Sequence, residues 1–422
     1  MVIGAGLFKS PALVAGNVGS TEALFGVWLL GGLLGMLGSL CYAELSTAFP
    51  GFGGDYRFLS LAYGHRVGFL FAWARFAIIN TGSLALLGFV LGDYLHAWLP
   101  LGPAGPSIYA AATLVIFTVL NLRSRAAGLD AQEWLTGFLM VGVALLGLVG
   151  LWFVFRDIPP AAPQAAAPGG IAGFGLALVF VMLAYGGWSE IATLSSESRD
   201  TKRGMLHALL LSMAAVTMLY LVINWALWRG LGLDGLAGAQ APASALLERA
   251  FGPVSQLPVI AVVFAAVATS INATIIVGAR TTLAVARDWP GLARIADWDE
   301  ARSVAAGAIV AQSLVALALV GLGTATREGF VTMVDYTAPV YWFFMLLSGL
   351  AVPILRRRLP DAPRPFRLPW SPILPLVFAA SSAFVLWSSI NYVRVGALAG
   401  AAVLAAGLVA TFALKAPEKA PT

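Results

Sequence analysis

Twelve apolar stretches run one after another through this sequence, at about 5–18, 21–48, 66–96, 104–122, 130–155, 171–197, 204–229, 253–286, 303–323, 328–354, 371–391 and 394–414. All but the first are long enough to cross a bilayer, which takes about 20 residues in a helix. Only helices and closed barrels satisfy every backbone polar group in hydrocarbon. Stretches of this length and uniformity specify helices, so the expected fold class is an all-α integral membrane protein. Charged residues make up only 11% of the 422, against about 25% in soluble proteins. No stretch remains in which a soluble domain would fit.

The charges orient the chain. With the start placed on the cytoplasmic side, 18 of the 25 Lys and Arg fall in inner loops and the tail, and five in outer loops. The other two, Lys9 and Arg75, lie within spans. That bias predicts both termini inside. The net charge of +5 is scattered between spans and gives no reason to expect nucleic acid. One cysteine, Cys41, excludes an internal disulfide. The three histidines, His65, His96 and His207, have no metal-ligand spacing. No Walker sequence occurs, and no Ser/His or Glu/His pair sits at a spacing useful to an enzyme; no cofactor is implied. Outside the spans, Pro159 to Gly170 reads as an extended outer connector, and a short surface helix is expected around Ser244–Ala250.

Two of the apolar stretches are interrupted by glycine. The first carries Ile3-Gly4-Ala5-Gly6-Leu7-Phe8 and the other Leu183-Ala184-Tyr185-Gly186-Gly187-Trp188. A helix that resumes after Gly6 presents unpaired N–H groups and a positive dipole end, which suit a carboxylate. A helix that stops before Gly186 presents carbonyls at Leu183, Ala184 and Gly186, which suit an ammonium group or a cation. Tyr185 and Trp188 are placed to wall such a cavity. The competing reading is close helix packing at small residues, with a kink in the second helix. Together the breaks offer donors for a carboxylate and acceptors for an amine, and an α-amino acid has both.

Ionisable groups inside spans are costly and therefore informative. Lys9 either supplies positive charge near the carboxylate position or snorkels outward. Glu190 either takes up a proton or touches substrate, or else pairs with a basic residue. Arg75 is expected to pair with a carboxylate. Glu44 and Asp55 flank an inner turn and read as structural or gating residues.

The order and spacing of several short motifs resemble the amino acid–polyamine–organocation (APC) superfamily. They are Gly4-Ala5-Gly6-Leu7-Phe8 with Ser10-Pro11; Tyr42-Ala43-Glu44-Leu45; Gly53-Gly54-Asp55-Tyr56; Ala184-Tyr185-Gly186-Gly187-Trp188; Asn272-Ala273-Thr274 through Arg287-Asp288; and Arg364-Pro365-Phe366. The resemblance spans the chain and is nearest to the sodium-independent permeases and exchangers. It implies a LeuT-type fold in a single domain over 1–422. A first repeat would occupy about 1–156 and an inverted second repeat about 170–354, followed by two extra helices at about 371–414. It implies a secondary transporter of amino acids that alternates access around broken helices one and six, in the plasma (inner) membrane. Proton coupling or amino acid exchange would drive it, and an apolar pocket favours neutral substrates. Polyamine transport and a non-transporting partner subunit are the alternatives. By the same resemblance, the carboxylate would meet N–H groups of Ala5, Gly6 and Leu7. The amine would meet carbonyls of Ile3, Leu183, Ala184 and Gly186, with Gly4 and Gly187 as the breakers, and Asn272 and Thr274 would touch substrate or water. Two departures stand out. The helix-five lysine that replaces sodium in many relatives corresponds to Leu139, and only Met1-Val2-Ile3 precede the first break, so the true start is expected upstream.

Overall fold

A computed structural model of the chain describes residues 6–51, 53–123, 125–158, 170–190, 202–252, 256–295, 298–299, 304–326, 329–394 and 396–414. Ile3, Gly4, Ala5 and most of the Pro159–Gly170 connector lie outside these residues. Ten helices among the described residues are long and apolar enough to cross a membrane. The two remaining apolar helices are short, and each ends at a glycine break. They are α1 (Gly6–Ala15), which leaves the first break, and α8 (Ile171–Ala184), which arrives at the second.

Between them run α2 (Thr21–Ala48), α3 (Asp55–Tyr63), α4 (His65–Ala74), α5 (Asn80–Trp98), α6 (Gly105–Arg123) and α7 (Arg125–Phe155). After α8 come α9 (Lys202–Ala237), α10 (Pro242–Phe251), α11 (Gln256–Asp288), α12 (Ala306–Thr326), α13 (Gly329–Arg358), α14 (Ile373–Val393) and α15 (Gly396–Ala413). α10 covers the short helix expected around Ser244–Ala250. Ser20 caps α2 by accepting the Ala23 N–H at 3.2 Å. α9 is kinked at Gly232, whose φ of 71° lies in the left-handed region.

The centre of the bundle is built from α1, α8, α2, α5, α11 and α13, while α7, α12, α14 and α15 pack around it. Leu29, Ile116, Trp134, Leu145, Leu314 and Val409 are large apolar side chains left exposed on the periphery, as a lipid-facing surface requires. At one end, Glu44 of α2 accepts Arg356 Nε at 2.7 Å and a terminal Arg356 nitrogen at 2.6 Å. It also accepts the Leu368 N–H at 2.8 Å, with Arg364 Nε at 3.8 Å. This one carboxylate ties α2, α13 and the basic loop after α13 together. Asp55 accepts the hydroxyls of Tyr42 and, at 2.8 Å, Ser348. Both acids therefore fasten helices to one another.

Two elements have no counterpart in the sequence reading, α3 and a π turn. The long span His65–Trp98 contains a π-helical turn at Arg75–Ile79, between α4 and α5. A π turn adds a residue to the helical circuit and rotates the side chains that follow, and such turns concentrate at functional sites.

Candidate functional site

The two glycine breaks meet. A Cβ added to Gly6 would stand 2.9 Å from the Ala184 Cα and 3.1 Å from its Cβ, closer than carbon atoms pack at rest. Only glycine allows α1 to start so close to the end of α8. α8 stops at Ala184, the chain turns over 185–187, and Gly187 takes a φ of 102°. Beside this contact lies a cavity of about 150 Å³.

Each wall of the cavity is one face of a helix, with residues recurring three or four apart. α1 contributes Gly6 and Ser10; the π turn and α5 contribute Arg75, Ile79, Asn80, Ser83, Leu86 and Leu87. Leu183, Ala184, Gly186, Gly187 and Glu190 come from α8 and the turn after it. Ser270 and Thr274 come from α11, and Phe330, Thr337, Ala338 and Tyr341 from α13.

Gly6, Leu183, Ala184, Gly186, Gly187, Glu190 and Thr274, all expected from the sequence, thus border one cavity. Leu7 is fully buried and faces elsewhere. Tyr185 and Trp188 do not wall the cavity. The Tyr185 hydroxyl donates to the Trp28 carbonyl at 3.1 Å, and its ring packs edge-on against Tyr220 with centroids 4.8 Å apart. Trp188 stands edge-on to Tyr42, at 5.1 Å, and to Phe378, at 5.9 Å. The reason is local: when the turn offers its backbone to the cavity, its large side chains must point back into the scaffold. There they anchor the break against α2, α9 and α14.

The carbonyls at this break are not equally available. Ala184 O accepts the Tyr220 hydroxyl at 2.8 Å, and Leu183 O accepts the Gly186 N–H at 3.2 Å. The Gly186 carbonyl takes no hydrogen bond among the described residues.

The charges also differ from the expectation that Lys9 and Glu190 are the ones near the pocket. Lys9 Nζ bonds Asp93 Oδ2 at 3.1 Å and the Gln240 carbonyl at 3.3 Å. It lies 5.9 Å from the Phe330 ring centroid, so this aromatic ring, and not the ammonium, borders the cavity. The cation that does border it is Arg75, whose guanidinium pairs with Glu190. Asn272 is a strut: its Oδ1 accepts Asn121 Nδ2 at 2.8 Å, and its Nδ2 donates to Gln132 Oε1 at 3.1 Å. It ties α11 to α6 and α7. Leu139 is fully buried in the apolar core. The α13 wall and the α5 stripe were missed in the sequence. The available signal was the i, i+4 recurrence of Arg75, Ile79 and Ser83, and of Ser270 and Thr274, within otherwise apolar spans.

Among the described residues, no group of three or more His, Cys, Asp or Glu is placed to hold a metal ion. The cavity is suited to binding, with helix-end backbone groups on one side and hydroxyls and an ion pair on the other.

Comparison with known proteins agrees. The family described as "Amino acid permease" matches residues 1–410. The b(0,+)-type amino acid transporter 1 of Mus musculus is 25% identical over 395 residues, covering 92% of this chain and 80% of that protein. The Serine/threonine exchanger SteT of Bacillus subtilis is 24% identical over 395 residues, covering 92% and 88%. The Asc-type amino acid transporter 1 of Homo sapiens is 28% identical over 397 residues, covering 91% and 74%. These relatives are transporters rather than enzymes, and with the match running over nearly its whole length this multi-pass membrane protein belongs to the amino acid permease family.

Proposed function

We propose that this chain carries small neutral amino acids across the plasma membrane by alternating access around its two broken helices, in exchange for another amino acid. The observation that carries the reading is the contact of the two breaks beside one cavity, Gly6 against Ala184. The N–H groups of Gly6 and Leu7 in the first turn of α1 receive the carboxylate, together with that of Ala5 expected from the sequence. The Gly186 carbonyl receives the amine, together with the carbonyl of Ile3 expected from the sequence. In this reading the two halves of opposite topology span about 1–156 and 170–354, each holding one of the breaks.

Small residues on several walls, Gly6, Ser10, Ser83, Ala184 and Ala338, leave room for a short side chain beside the breaks. Neutrality is supported by the Arg75–Glu190 pair, which leaves the lining without net charge. The same pair counts against a polyamine, because the lone acid of the lining is already matched. The basic loop after α13, clamped on Glu44, supports cytoplasmic termini. Exchange is favoured over proton coupling because the lysine position is the apolar Leu139.

The test is counterflow in proteoliposomes. Vesicles preloaded with unlabelled alanine and serine should take up labelled alanine many times faster than empty ones. Equal uptake by loaded and empty vesicles would remove exchange. Absence of uptake of every amino acid by folded protein would remove transport itself.

A further inference from the structure

A separate crevice lies away from the glycine breaks, between α4, the π turn, α11 and a 3₁₀ turn at Pro290–Ile295. Phe69, Trp73 and Phe76 line it on one side, and Val285, Ala286 and Leu292 on the other. Apart from Thr282 this lining is apolar, and the Trp73 ring N–H already donates to the Val403 carbonyl of α15 at 2.8 Å. A polar solute finds little here to replace its water. A hydrocarbon chain sheds no hydrogen bonds on entering and gains contact with the rings.

Basic residues stand at one end of the crevice. Arg66, Phe69, Trp73 and Phe76 recur three or four apart, along one helical face. Arg66, in the first turn of α4, is exposed, and its guanidinium lies 4.5 Å from the centroid of the Phe412 ring. Phe412 is itself 65% exposed on α15, which puts this cation at the lipid-facing boundary of the bundle. The Phe69 and Trp289 rings pack with centroids 4.5 Å apart, so the start of α4 lies beside the end of α11. There Arg287 is exposed, next to Ala286 of the lining. Its neighbour Asp288 accepts the Tyr56 hydroxyl at 2.8 Å and is within electrostatic reach of Arg57, so positive charge remains in excess. An amphipathic anion suits both halves, with hydrocarbon for the crevice and a phosphate for the arginines.

We propose that this crevice binds an anionic phospholipid of the cytoplasmic leaflet, with one acyl chain against Phe69, Trp73 and Phe76 and the phosphate at Arg66 and Arg287. Arg75, one residue before Phe76, borders the substrate cavity, so the lipid site and that cavity share the π turn. The choice of leaflet rests on the orientation proposed above; the site itself does not depend on what the protein carries.

The test is the thermal midpoint of the purified full chain in detergent micelles, titrated with phosphatidylglycerol or with phosphatidylcholine of the same acyl chains. Phosphatidylglycerol should raise the midpoint at roughly tenfold lower lipid content. Arg66→Gln should remove about fivefold of that preference, the share of one basic residue at an anionic lipid surface. Arg358→Gln, which removes an exposed charge from the end of α13, should retain it. A phosphatidylglycerol with a photoreactive acyl chain should label the peptides that hold Phe69–Phe76 or Thr282–Leu292. Equal response to the two lipids, or labelling spread evenly over the spans, would overturn the site, and neither arm needs a variant to fold. Equal loss in Arg66→Gln and Arg358→Gln would reduce it to diffuse attraction, and stabilisation by glycerol phosphate alone would make it an anion site without a lipid; either refutes the proposal. None of these readouts uses an amino acid, so a failure of transport would leave the lipid site standing.

Discussion

Gly6→Ala is the smallest change that reaches the junction of the two breaks. The added methyl carbon would sit 2.9 Å from Ala184 Cα and 3.1 Å from Ala184 Cβ, whereas carbon atoms in contact prefer about 3.5–4.0 Å. Neither neighbour has a rotamer with which to retreat, since one is backbone and the other a methyl fixed to it. The helix ends must therefore separate by roughly 0.5–1 Å, which costs about 1–3 kcal/mol by analogy with overpacked cores. Alanine returns up to about 1 kcal/mol through its helix preference, for a net cost of about 1–2 kcal/mol. Because the strain falls on the groups proposed to receive the carboxylate and amine, it should appear as a 5- to 30-fold loss of alanine affinity. Competition binding and thermal midpoints, with and without alanine, would measure it. Gly26→Ala is the control: Gly26 lies in α2 with nothing within 4 Å of an added Cβ, so its variant should bind normally and be as stable as the parent or slightly more so. If Gly6→Ala matched Gly26→Ala in both affinity and midpoint, the close junction of the breaks would not be part of the site.

Other contacts yield further expectations. In Gly38→Ala the new methyl would lie 2.4 Å from the Trp188 ring and 2.8 Å from Phe378, a loss of about 1–3 kcal/mol. Trp188→Phe in the same chain should recover part of it, so that a double-mutant cycle of thermal stabilities is not additive. Glu44→Ala would leave Arg356 and Arg364 without the carboxylate that joins α2 to α13. The expected cost is about 3–5 kcal/mol, read as a lower midpoint and as earlier proteolysis of the loop after α13. Lys9→Met removes a partly exposed ion pair with Asp93, worth up to about 1 kcal/mol. Since Lys9 does not border the cavity, alanine affinity should change less than twofold; a tenfold loss would place its charge in the site after all.

The spans were legible because the physics that selects them is one-dimensional. A run of about 20 apolar residues has few alternatives to a membrane helix, so ten long helices and two short ones appear where twelve apolar stretches stand. The breaks were legible for a related reason: Gly186 and Gly187 follow an apolar run with no polar residue to end it. The π turn at Arg75–Ile79 was not legible. Arg-Phe-Ala-Ile-Ile carries no proline or glycine, and nothing local distinguishes i+5 from i+4 bonding there. Its first residue, Arg75, pairs with Glu190 in the turn after α8, a tertiary contact that the local sequence does not announce.

The site divides along the same line. Recognition by backbone is written in the sequence as the absence of side chains, so Gly6, Gly186 and Gly187 could be read directly. The residues beside them were harder to place, because a conspicuous side chain beside an opened backbone has two uses, lining the cavity or bracing the opening. Tyr185 and Trp188 are large, and the turn they occupy is held by few backbone bonds, among them Tyr185 N–H to Val181 O at 2.9 Å and Gly186 N–H to Leu183 O at 3.2 Å. Bracing prevails because the rings bury against Trp28, Tyr220, Tyr42 and Phe378, each pair adding to a contact that no ligand need be present to make. Arg75 and Lys9 reverse the positions expected of them for a comparable reason. A cation in the first turn of α1 finds Asp93 and a backbone carbonyl within reach, whereas Arg75 is met by a carboxylate beside the cavity.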